Sequence, residues 1–392
     1  MSAFTLLEQV TENHIELPIN TLKNTLIVSH SILHAGTVNL NKVKDSVPHV
    51  RASGIATEHA DYKLLTRYFD QGKVVTDEDK QHYEELMQCL RTLSWMVLFQ
   101  QTKGVNVKQL RYLLLDGTKW DIGQQSIHLM TLCVLVNGVA VPIWWEDLEK
   151  AGHSSQKERM EMFTTAMKSY DLKGMILLAD REYVGKKWFK YLVDSKLHFV
   201  IRIKEGIYHD EVNAAPGRTW QQLKSKAEQK AKGKKVSKKI KLNGLDLHYI
   251  VMKNPRPDAE DELVFLLTNW TSPTQAARLY EWRWQIEVCF KHLKSNGFDL
   301  EAMNVQGKYK RHLMMAIAVF VYILAIREGL LKEYHKAARM VLDKTSGFHY
   351  RAVSVFKQGL AIIRRKALNL QQLIRYLKKI TKGKYLTIFQ NV

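Results

Sequence analysis

The sequence of 392 residues predicts an α/β core that carries a β-rich insertion and is flanked by helical N-terminal and C-terminal regions. Short apolar runs alternate with amphipathic helical patterns in the middle of the chain, whereas the two ends show apolar residues mainly at helical spacing. The predicted division is a helical N-terminal domain, residues 1–103; a core in two pieces, residues 104–205 and 270–303; a β-rich insertion, residues 206–269; and a basic helical region, residues 304–392.

The N-terminal region has the apolar spacing of a small helical domain. Leu65 and Phe69, and then Leu86, Leu90 and Leu93, fall at helical intervals. No clear helix-turn-helix signature accompanies them. Binding of DNA ends, packing and dimerisation are therefore equally open roles for this region.

The core is predicted to begin with three strands, followed by a helix, a strand, a helix and a strand. Asn137-Gly138, a strong hairpin signal, joins the second and third strands. The first three strands therefore form a meander that leads into an α/β arrangement. The predicted strands are residues 110–115, 127–135, 139–145, 175–179 and 198–203, and the predicted helices are residues 156–170 and 184–192.

The insertion and the C-terminal region follow. Asn243-Gly244 predicts a second hairpin, with a strand at residues 246–252 on one side of the turn and a further strand at residues 263–268 beyond it. From residue 272 the pattern is helical almost to the end. The apolar run at residues 313–326 is shorter than the roughly 20 residues that cross a bilayer, so it is interpreted as a buried core helix.

The N-terminus lacks the pattern of a secretory signal, and the three cysteines are far apart in the sequence. An odd number of distant cysteines fits a reducing compartment and predicts small buried apolar residues rather than disulfides or a zinc site. We therefore expect a cytosolic protein without a membrane-spanning segment. Those three residues are Cys89, Cys133 and Cys289.

The charge of the chain indicates a polyanionic partner. Lys and Arg number 59 against 39 Asp and Glu, which gives a formal net charge of +20. Two segments carry more than this excess: residues 304–392 have a net charge of +15 and residues 218–241 a net charge of +9. Nucleic acid is the first expectation and an acidic membrane surface the second. Two separate clusters favour two contacts with a phosphate backbone.

Two aspartates follow buried apolar runs. Asp116 comes directly after three leucines, and Asp180 follows Ile176-Leu177-Leu178-Ala179. An unpaired carboxylate is costly to desolvate, so one at the end of a buried strand is usually paired, hydrogen-bonded or bound to metal. Each aspartate alone is also compatible with a simple turn, but the pair in this strand order favours a site.

A predicted helix at residues 274–295 carries a stripe of polar side chains. At about 100° per residue, Tyr280, Arg283, Glu287 and Lys294 lie within a stripe roughly 60° wide. The apolar face is predicted to consist of Trp282, Ile286, Cys289 and Leu293. A surface row of ion pairs is the alternative interpretation. Together with Asp116 and Asp180, the stripe instead predicts a cluster of three carboxylates.

Such a cluster, without Cys or His, selects Mg²⁺ or Mn²⁺. Two such ions support in-line phosphoryl transfer by activating a water or a 3′-hydroxyl and by stabilising the leaving oxygen. Arg283 and Lys294 are then predicted to hold phosphates that do not react, and Tyr280 to bond another phosphate oxygen.

Three motifs together resemble bacterial insertion-sequence transposases of the DDE class. They are LLLDGT at residues 113–118, LLADREY at residues 177–183, and Y-x2-R-x3-E-x6-K at residues 280–294. The third is the Y-R-E-K signature of the insertion-sequence-four group. The resemblance covers the chain from about residue 110 to residue 294.

The resemblance implies a ribonuclease-H-like catalytic core with a β insertion before the helix that bears the glutamate. It implies that Asp116, Asp180 and Glu287 bind two divalent metal ions, Mg²⁺ or Mn²⁺, nick the element end and direct the freed 3′-hydroxyl to target DNA. Arg202 and Lys204 match a basic pair that family members place near the DNA.

Relatives that cut the second strand through a hairpin also use an aromatic residue of the insertion to hold a flipped base. Trp220 and Trp270 are the candidates for that role in this sequence. Neither matches by a clear local motif, and stacking requires only a π-face. Both tryptophans therefore remain candidates at this point.

The sequence as a whole predicts a cut-and-paste DNA transposase of the bacterial cytoplasm, associated with the nucleoid when bound to DNA. Its expected partners are double-stranded DNA, as terminal inverted repeats and as target, and a second copy of the chain in a homodimeric synaptic complex. A metal-dependent nuclease or junction resolvase on the same fold, and a non-catalytic DNA-binding repressor, are the alternatives.

Overall fold

Eight strands form one mixed sheet in the computed structural model, which describes residues 18–47, 57–99, 111–122, 125–254, 261–295, 297–331, 340–342 and 349–380. The order across the sheet is β3-β2-β1-β4-β5-β8-β7-β6. The strands are β1 Tyr112–Ile122, β2 Gln125–Val136, β3 Val139–Asp147, β4 Ile176–Ala179, β5 His198–Ile203, β6 Lys235–Leu242, β7 Leu245–Lys253 and β8 Leu263–Thr268.

Helices account for most of the remaining described residues. In chain order they are α1 Ile19–Ala35, α2 Leu40–Val43, α3 Glu58–Phe69, α4 Asp77–Phe99, α5 Gln156–Ser169, α6 Lys186–Asp194, α7 His209–Ala214, α8 Trp220–Glu228, α9 Pro273–Tyr280, α10 Trp284–Lys294, α11 Lys308–Leu330, α12 Val355–Lys366 and α13 Leu370–Ile380. They include the helices predicted around residues 156–170 and 184–192.

The first five strands have the arrangement of the predicted ribonuclease-H-like core. Strand β1 pairs with β4, and β4 with β5, in parallel, whereas β2 and β3 form an antiparallel hairpin. Every residue of β4 is buried, which explains its continuous apolar run, because a central parallel strand is covered on both faces. The mixed α/β fold class is therefore confirmed.

Both predicted hairpin turns are present. Asn137 and Gly138 have φ values of 47° and 80°, and Asn243 and Gly244 have values of 50° and 79°. Positive φ at both central positions is the requirement of a two-residue type I′ turn, and Asn-Gly meets it at low cost.

The insertion extends the main sheet and also contains helices. Strand β8 pairs with β5, and β7 pairs with both β8 and β6, all antiparallel. The sequence interpretation missed α7 and α8. A capping box between Thr219 and Gln222 begins α8. The buried ammonium of Lys238 donates to carbonyls near the end of α7, those of Val212 at 2.6 Å and Ala215 at 2.8 Å.

The chain divides into two compact units. Among the described residues, the second unit contains residues 111–118 and 128–288, and the first contains the remaining residues before 128 and those from 289. The predicted domain boundaries, which separate the core from the insertion and the N-terminal from the C-terminal region, remain a prediction.

The first unit is built around α11. This helix packs against α12, α4 and α1, and all its residues from 311 to 330 are buried. By length and composition alone, α11 is long and apolar enough to cross a membrane. Its apolar stretch is nevertheless entirely buried within the protein, as in a core helix. The short strands β9 Met340–Leu342 and β10 His349–Arg351 interrupt the helical pattern expected here. Cys89, Cys133 and Cys289 are buried free thiols, as predicted.

Candidate active site

The first two carboxylates of the site are positioned by paired parallel strands. Leu115 on β1 is in register with Ala179 on β4, so Asp116 and Asp180 follow at the same level of the sheet. Neighbouring strands lie about 4.8 Å apart, which brings these two side chains to adjacent places. The expected strand end at Asp116 is wrong: β1 continues to Ile122, and only its pairing with β4 stops at Leu115.

The third carboxylate, that of Glu287, lies in the first turn of α10. A single regular helix was predicted over residues 274–295, but a 3₁₀ turn at Glu281–Arg283 separates α9 from α10. Since a 3₁₀ turn has three residues rather than 3.6, it rotates the residues that follow it relative to Tyr280. Trp282 lies in this turn. It is 37% exposed and borders Gly138 rather than the core, whereas Ile286 is buried as predicted.

Arg283 joins the first and third carboxylates. Its Nη1 donates to Oδ2 of Asp116 at 3.2 Å, and its Nη2 donates to Oε1 of Glu287. The Arg283 side chain is only 10% exposed and that of Asp116 16% exposed. The guanidinium therefore lies between two carboxylates in a largely water-excluded position.

Tyr280 and a backbone amide contact the second carboxylate. The Tyr280 hydroxyl donates to Oδ1 of Asp180 at 3.3 Å, and the N–H of Arg181 donates to the same oxygen at 2.7 Å. Burial raises the pKa of Tyr280, and the charge of Asp180 acts in the same direction. The phenol therefore stays protonated and donates.

The charges of the other two carboxylates affect the pKa of Asp116. Burial raises the pKa of Asp116 to about 7; Arg283 and the N–H of Gly117 oppose the rise, and the charges of Asp180 and Glu287 add to it. A raised carboxyl pKa next to other charged groups is typical of functional sites.

Gly117 allows close packing behind Asp116. A Cβ at this position would lie 2.1 Å from Nε2 of His128 and 3.2 Å from the hydroxyl of Tyr183. Both side chains are buried, and neither atom has a hydrogen-bond partner among the described residues. The sequence interpretation treated Asp-Gly as a possible turn and missed this role, which the absence of a side chain at residue 117 could have indicated.

Glu182 does not belong to the carboxylate cluster. It accepts from the N–H and hydroxyl of Ser154 at 3.2 Å, and it forms ion-pair contacts with His153 at 3.1 Å and His128 at 3.8 Å. Its carboxylate is thus engaged with other partners.

A cavity of about 490 Å³ lies beside the basic pair of β5. Arg202 pairs with Asp261, and Lys204 is exposed at the cavity. The cation of Arg202 also lowers the pKa of Tyr280, although burial and Asp180 outweigh this effect. The cavity lining is Arg181, Arg202, Lys204, Glu205, Lys224, Glu228, Asp261, Glu262, Leu263 and Phe265.

The two candidate tryptophans differ in their surroundings. The Trp220 ring stacks on cavity-lining Phe265 with a centroid distance of 6.3 Å, and its Nε1 donates to the Tyr249 hydroxyl at 3.0 Å. Trp270 instead packs edge-on against His198 and donates to Gln275 at 3.1 Å. Trp220 is therefore the one next to the cavity.

Lys294 belongs to the first unit. Its ammonium donates to the carbonyl oxygen of Lys119 at 2.6 Å and pairs with Glu301 at 3.0 Å. Its predicted contact with phosphate stays a prediction.

The donor chemistry fits a divalent cation, because Asp116, Asp180 and Glu287 offer only oxygen ligands. As the side chains stand, no three His, Cys, Asp or Glu residues in the described part of the chain are close enough to hold an ion. Arg283 occupies the position between two of the carboxylates.

Comparisons with known proteins identify the family of this chain. Residues 107–324, more than half of the chain, match the transposase DDE domain family. A solved cryo-EM structure of a piggyBac transposase synaptic complex with hairpin DNA aligns with a TM-score of 0.46 and 10% sequence identity, over 98% of this chain and 81% of that one. No curated protein gives a significant sequence match.

Proposed function

Because this chain belongs to the transposase DDE domain family, we propose that it is a cut-and-paste DNA transposase of the insertion-sequence-four group. The observation that carries the proposal is the register of β1 and β4. It places Asp116 level with Asp180, while Arg283 links Asp116 to Glu287. The reaction proposed is cleavage at the ends of the element and transfer of the freed 3′-hydroxyl into target DNA.

DDE transposase domains generally use divalent metal ions. In this chain Asp116, Asp180 and Glu287 would hold two Mg²⁺ or Mn²⁺ ions. When bound, such ions supply a more acidic attacking water or hydroxyl and stabilise the leaving oxygen.

The protein's own residues bind and orient the reacting DNA. The strand register fixes Asp116 and Asp180 relative to each other, so a scissile phosphate at this edge of the sheet meets both carboxylates. The protonated Tyr280 hydroxyl holds one orientation of Asp180. Arg283, once it is free of its carboxylates, would donate two parallel hydrogen bonds to a phosphate oxygen pair.

Further basic residues are proposed to hold the rest of the DNA. Arg202 and Lys204 line the neighbouring cavity, and Lys294 provides a further cation for the backbone. Terminal inverted repeats would be bound through the N-terminal and C-terminal regions, and the active species would be a homodimer across two ends. The setting is the bacterial cytoplasm, with association to the nucleoid when DNA is bound.

The test is an end-cleavage and strand-transfer assay. Duplex oligonucleotides carrying the inverted repeats that flank the gene are incubated with the full chain and Mg²⁺, and both nicked and joined products are measured. Asp116→Asn, Asp180→Asn and Glu287→Gln are each expected to lower both products by about 10³-fold or more, the effect of losing a preorganised charged group. Glu281→Gln, an exposed acid of the adjacent 3₁₀ turn, is the matched control and should retain activity.

The same assay separates the alternatives. Hydrolysis of branched or generic DNA without joined products would support a nuclease or resolvase instead. Binding of the repeats in a gel-shift assay without cleavage would support a repressor. Full activity of the Asp116→Asn and Glu287→Gln proteins would overturn both enzyme proposals.

A further inference from the structure

Arg283 contacts the carboxylates that the proposed function assigns to divalent metal ions. Its two terminal nitrogens contact Oδ2 of Asp116 and Oε1 of Glu287, two of the three carboxylates that would hold divalent ions. The guanidinium is nearly buried, so these contacts are made in a medium of low effective dielectric. Arg283 and a divalent ion therefore cannot occupy this position together.

The arrangement also explains how three carboxylates can be held together without an ion. Like charges in one partly buried site repel, and a planar guanidinium between two of them neutralises part of that charge with directional bonds. An arginine guanidinium is not deprotonated in proteins, so Arg283 keeps its charge whether or not a metal ion is bound.

We propose that Arg283 is the resident counter-ion of the carboxylate site, which holds Asp116 and Glu287 together until divalent metal ions displace it. Once displaced, the guanidinium would be available to an incoming phosphate. This inference rests on the proposed function, and its test is binding of the metal without DNA. The alternative is that Arg283 always contacts DNA and never competes with a metal ion.

The experiment measures the dissociation constant of Mn²⁺ for the full chain by isothermal titration calorimetry. Arg283→Gln removes the competing cation and is expected to bind Mn²⁺ at least tenfold more tightly than the unsubstituted protein. Arg283→Lys, a point charge without the fork geometry, should lie between the two. Arg278→Gln is the matched control: it removes the same charge from an exposed position on α9 and should change the dissociation constant less than twofold.

Thermal unfolding of the same proteins provides a second measurement. In chelator, Arg283→Gln should melt at a lower temperature than the unsubstituted protein, because it leaves buried carboxylates without their partner. Saturating Mn²⁺ should raise its melting temperature by more than it raises that of the unsubstituted protein, since the ion replaces the missing charge. Unchanged or weaker Mn²⁺ binding by Arg283→Gln would overturn the inference.

A nuclear magnetic resonance measurement on the unsubstituted chain covers the case in which Arg283→Gln does not fold. The guanidinium signals of Arg283, assigned by comparison with Arg283→Lys, should shift and lose protection from solvent exchange when Mg²⁺ is added. Signals that stay unchanged at saturating Mg²⁺ would overturn this inference but not the proposed function. Failure of the unsubstituted chain to bind Mn²⁺ or Mg²⁺ at all would overturn the proposed function as well.

Discussion

Replacing Gly117 with alanine adds one methyl group directly behind Asp116. The new Cβ would lie 2.1 Å from Nε2 and 2.4 Å from Cε1 of His128, far inside van der Waals contact. His128 is 6% exposed and the neighbouring Tyr183 is fully buried, so neither can rotate into solvent. Overpacking of this kind costs about 1–3 kcal/mol.

We expect Gly117→Ala to destabilise the second unit by about 2 kcal/mol. For a unit of this size that corresponds to a fall of about 4–8 °C in melting temperature. Scanning calorimetry measures the change, and the end-cleavage assay run well below the melting temperature measures its effect on the site. Cleavage should fall as well, because the carboxylate of Asp116 is displaced together with its backbone.

A double-mutant cycle with His128→Ala identifies the cause. In the His128→Ala background the methyl group has room, so the cost of Gly117→Ala should drop below about 0.5 kcal/mol. The steric explanation is refuted if Gly117→Ala melts at the same temperature as the unsubstituted protein. It is also refuted if Gly117→Ala lowers the free energy of unfolding equally in both backgrounds.

Three further predictions concern other parts of the chain. Burial lowers the pKa of His292 to about 4, so this histidine stays neutral in the folded protein while it protonates near pH 6.5 when unfolded. Its contribution to stability is therefore complete above pH 6.5 and is lost as the pH falls towards 4. His292→Phe, which keeps the ring against Phe356, should be more acid-resistant by about 3 kcal/mol at pH 4 in urea titrations; identical acid sensitivity would contradict this. Lys238→Met should destabilise the insertion by about 2 kcal/mol, because the charged hydrogen bonds to the Val212 and Ala215 carbonyls are lost. Lys239→Met, at the exposed neighbouring position, should change the free energy of unfolding little. Equal effects of the two substitutions in urea unfolding would contradict the role of Lys238 at the end of α7. Replacing exposed Lys357, Arg365 and Arg375 together with glutamine should reduce the slope of log affinity against log salt for duplex DNA by about 2–3, whereas Lys238→Met should leave that slope unchanged; an unchanged slope in the triple variant would remove this surface from the DNA contact.

Much of the core was predictable because its signals are local. The leucine run before Asp116 and the Asn-Gly turns depend on a few consecutive residues, and the structure has β1, β4 and both hairpins at those places. Asp116 and Asp180 lie at the same level of the sheet because β1 and β4 pair in parallel and therefore run in the same direction.

The remaining features depend on contacts between distant residues. The 3₁₀ turn at Glu281–Arg283 carries no distinctive residue pattern, so a regular helix was the natural expectation there. The bridge from Arg283 to Asp116 joins residues 167 positions apart, and the packing of His128 on Gly117 joins β2 to β1. Helix α8 lies in the lysine-rich segment, whose charge obscured its short apolar face. Helix α7 has only six residues, of which Val212 alone is buried, so it shows no helical periodicity.

A change of metal preference in Asp116→Cys tests the central claim most directly. A thiolate in place of this carboxylate binds Mg²⁺ poorly and the softer Mn²⁺ better. If Asp116 holds the ion that drives cleavage, the folded variant should lose nicking of the terminal repeats in Mg²⁺ and recover it in Mn²⁺, while the unsubstituted protein works in both. Undiminished nicking in Mg²⁺, or no recovery in Mn²⁺, would contradict the assignment of Asp116 to the metal site.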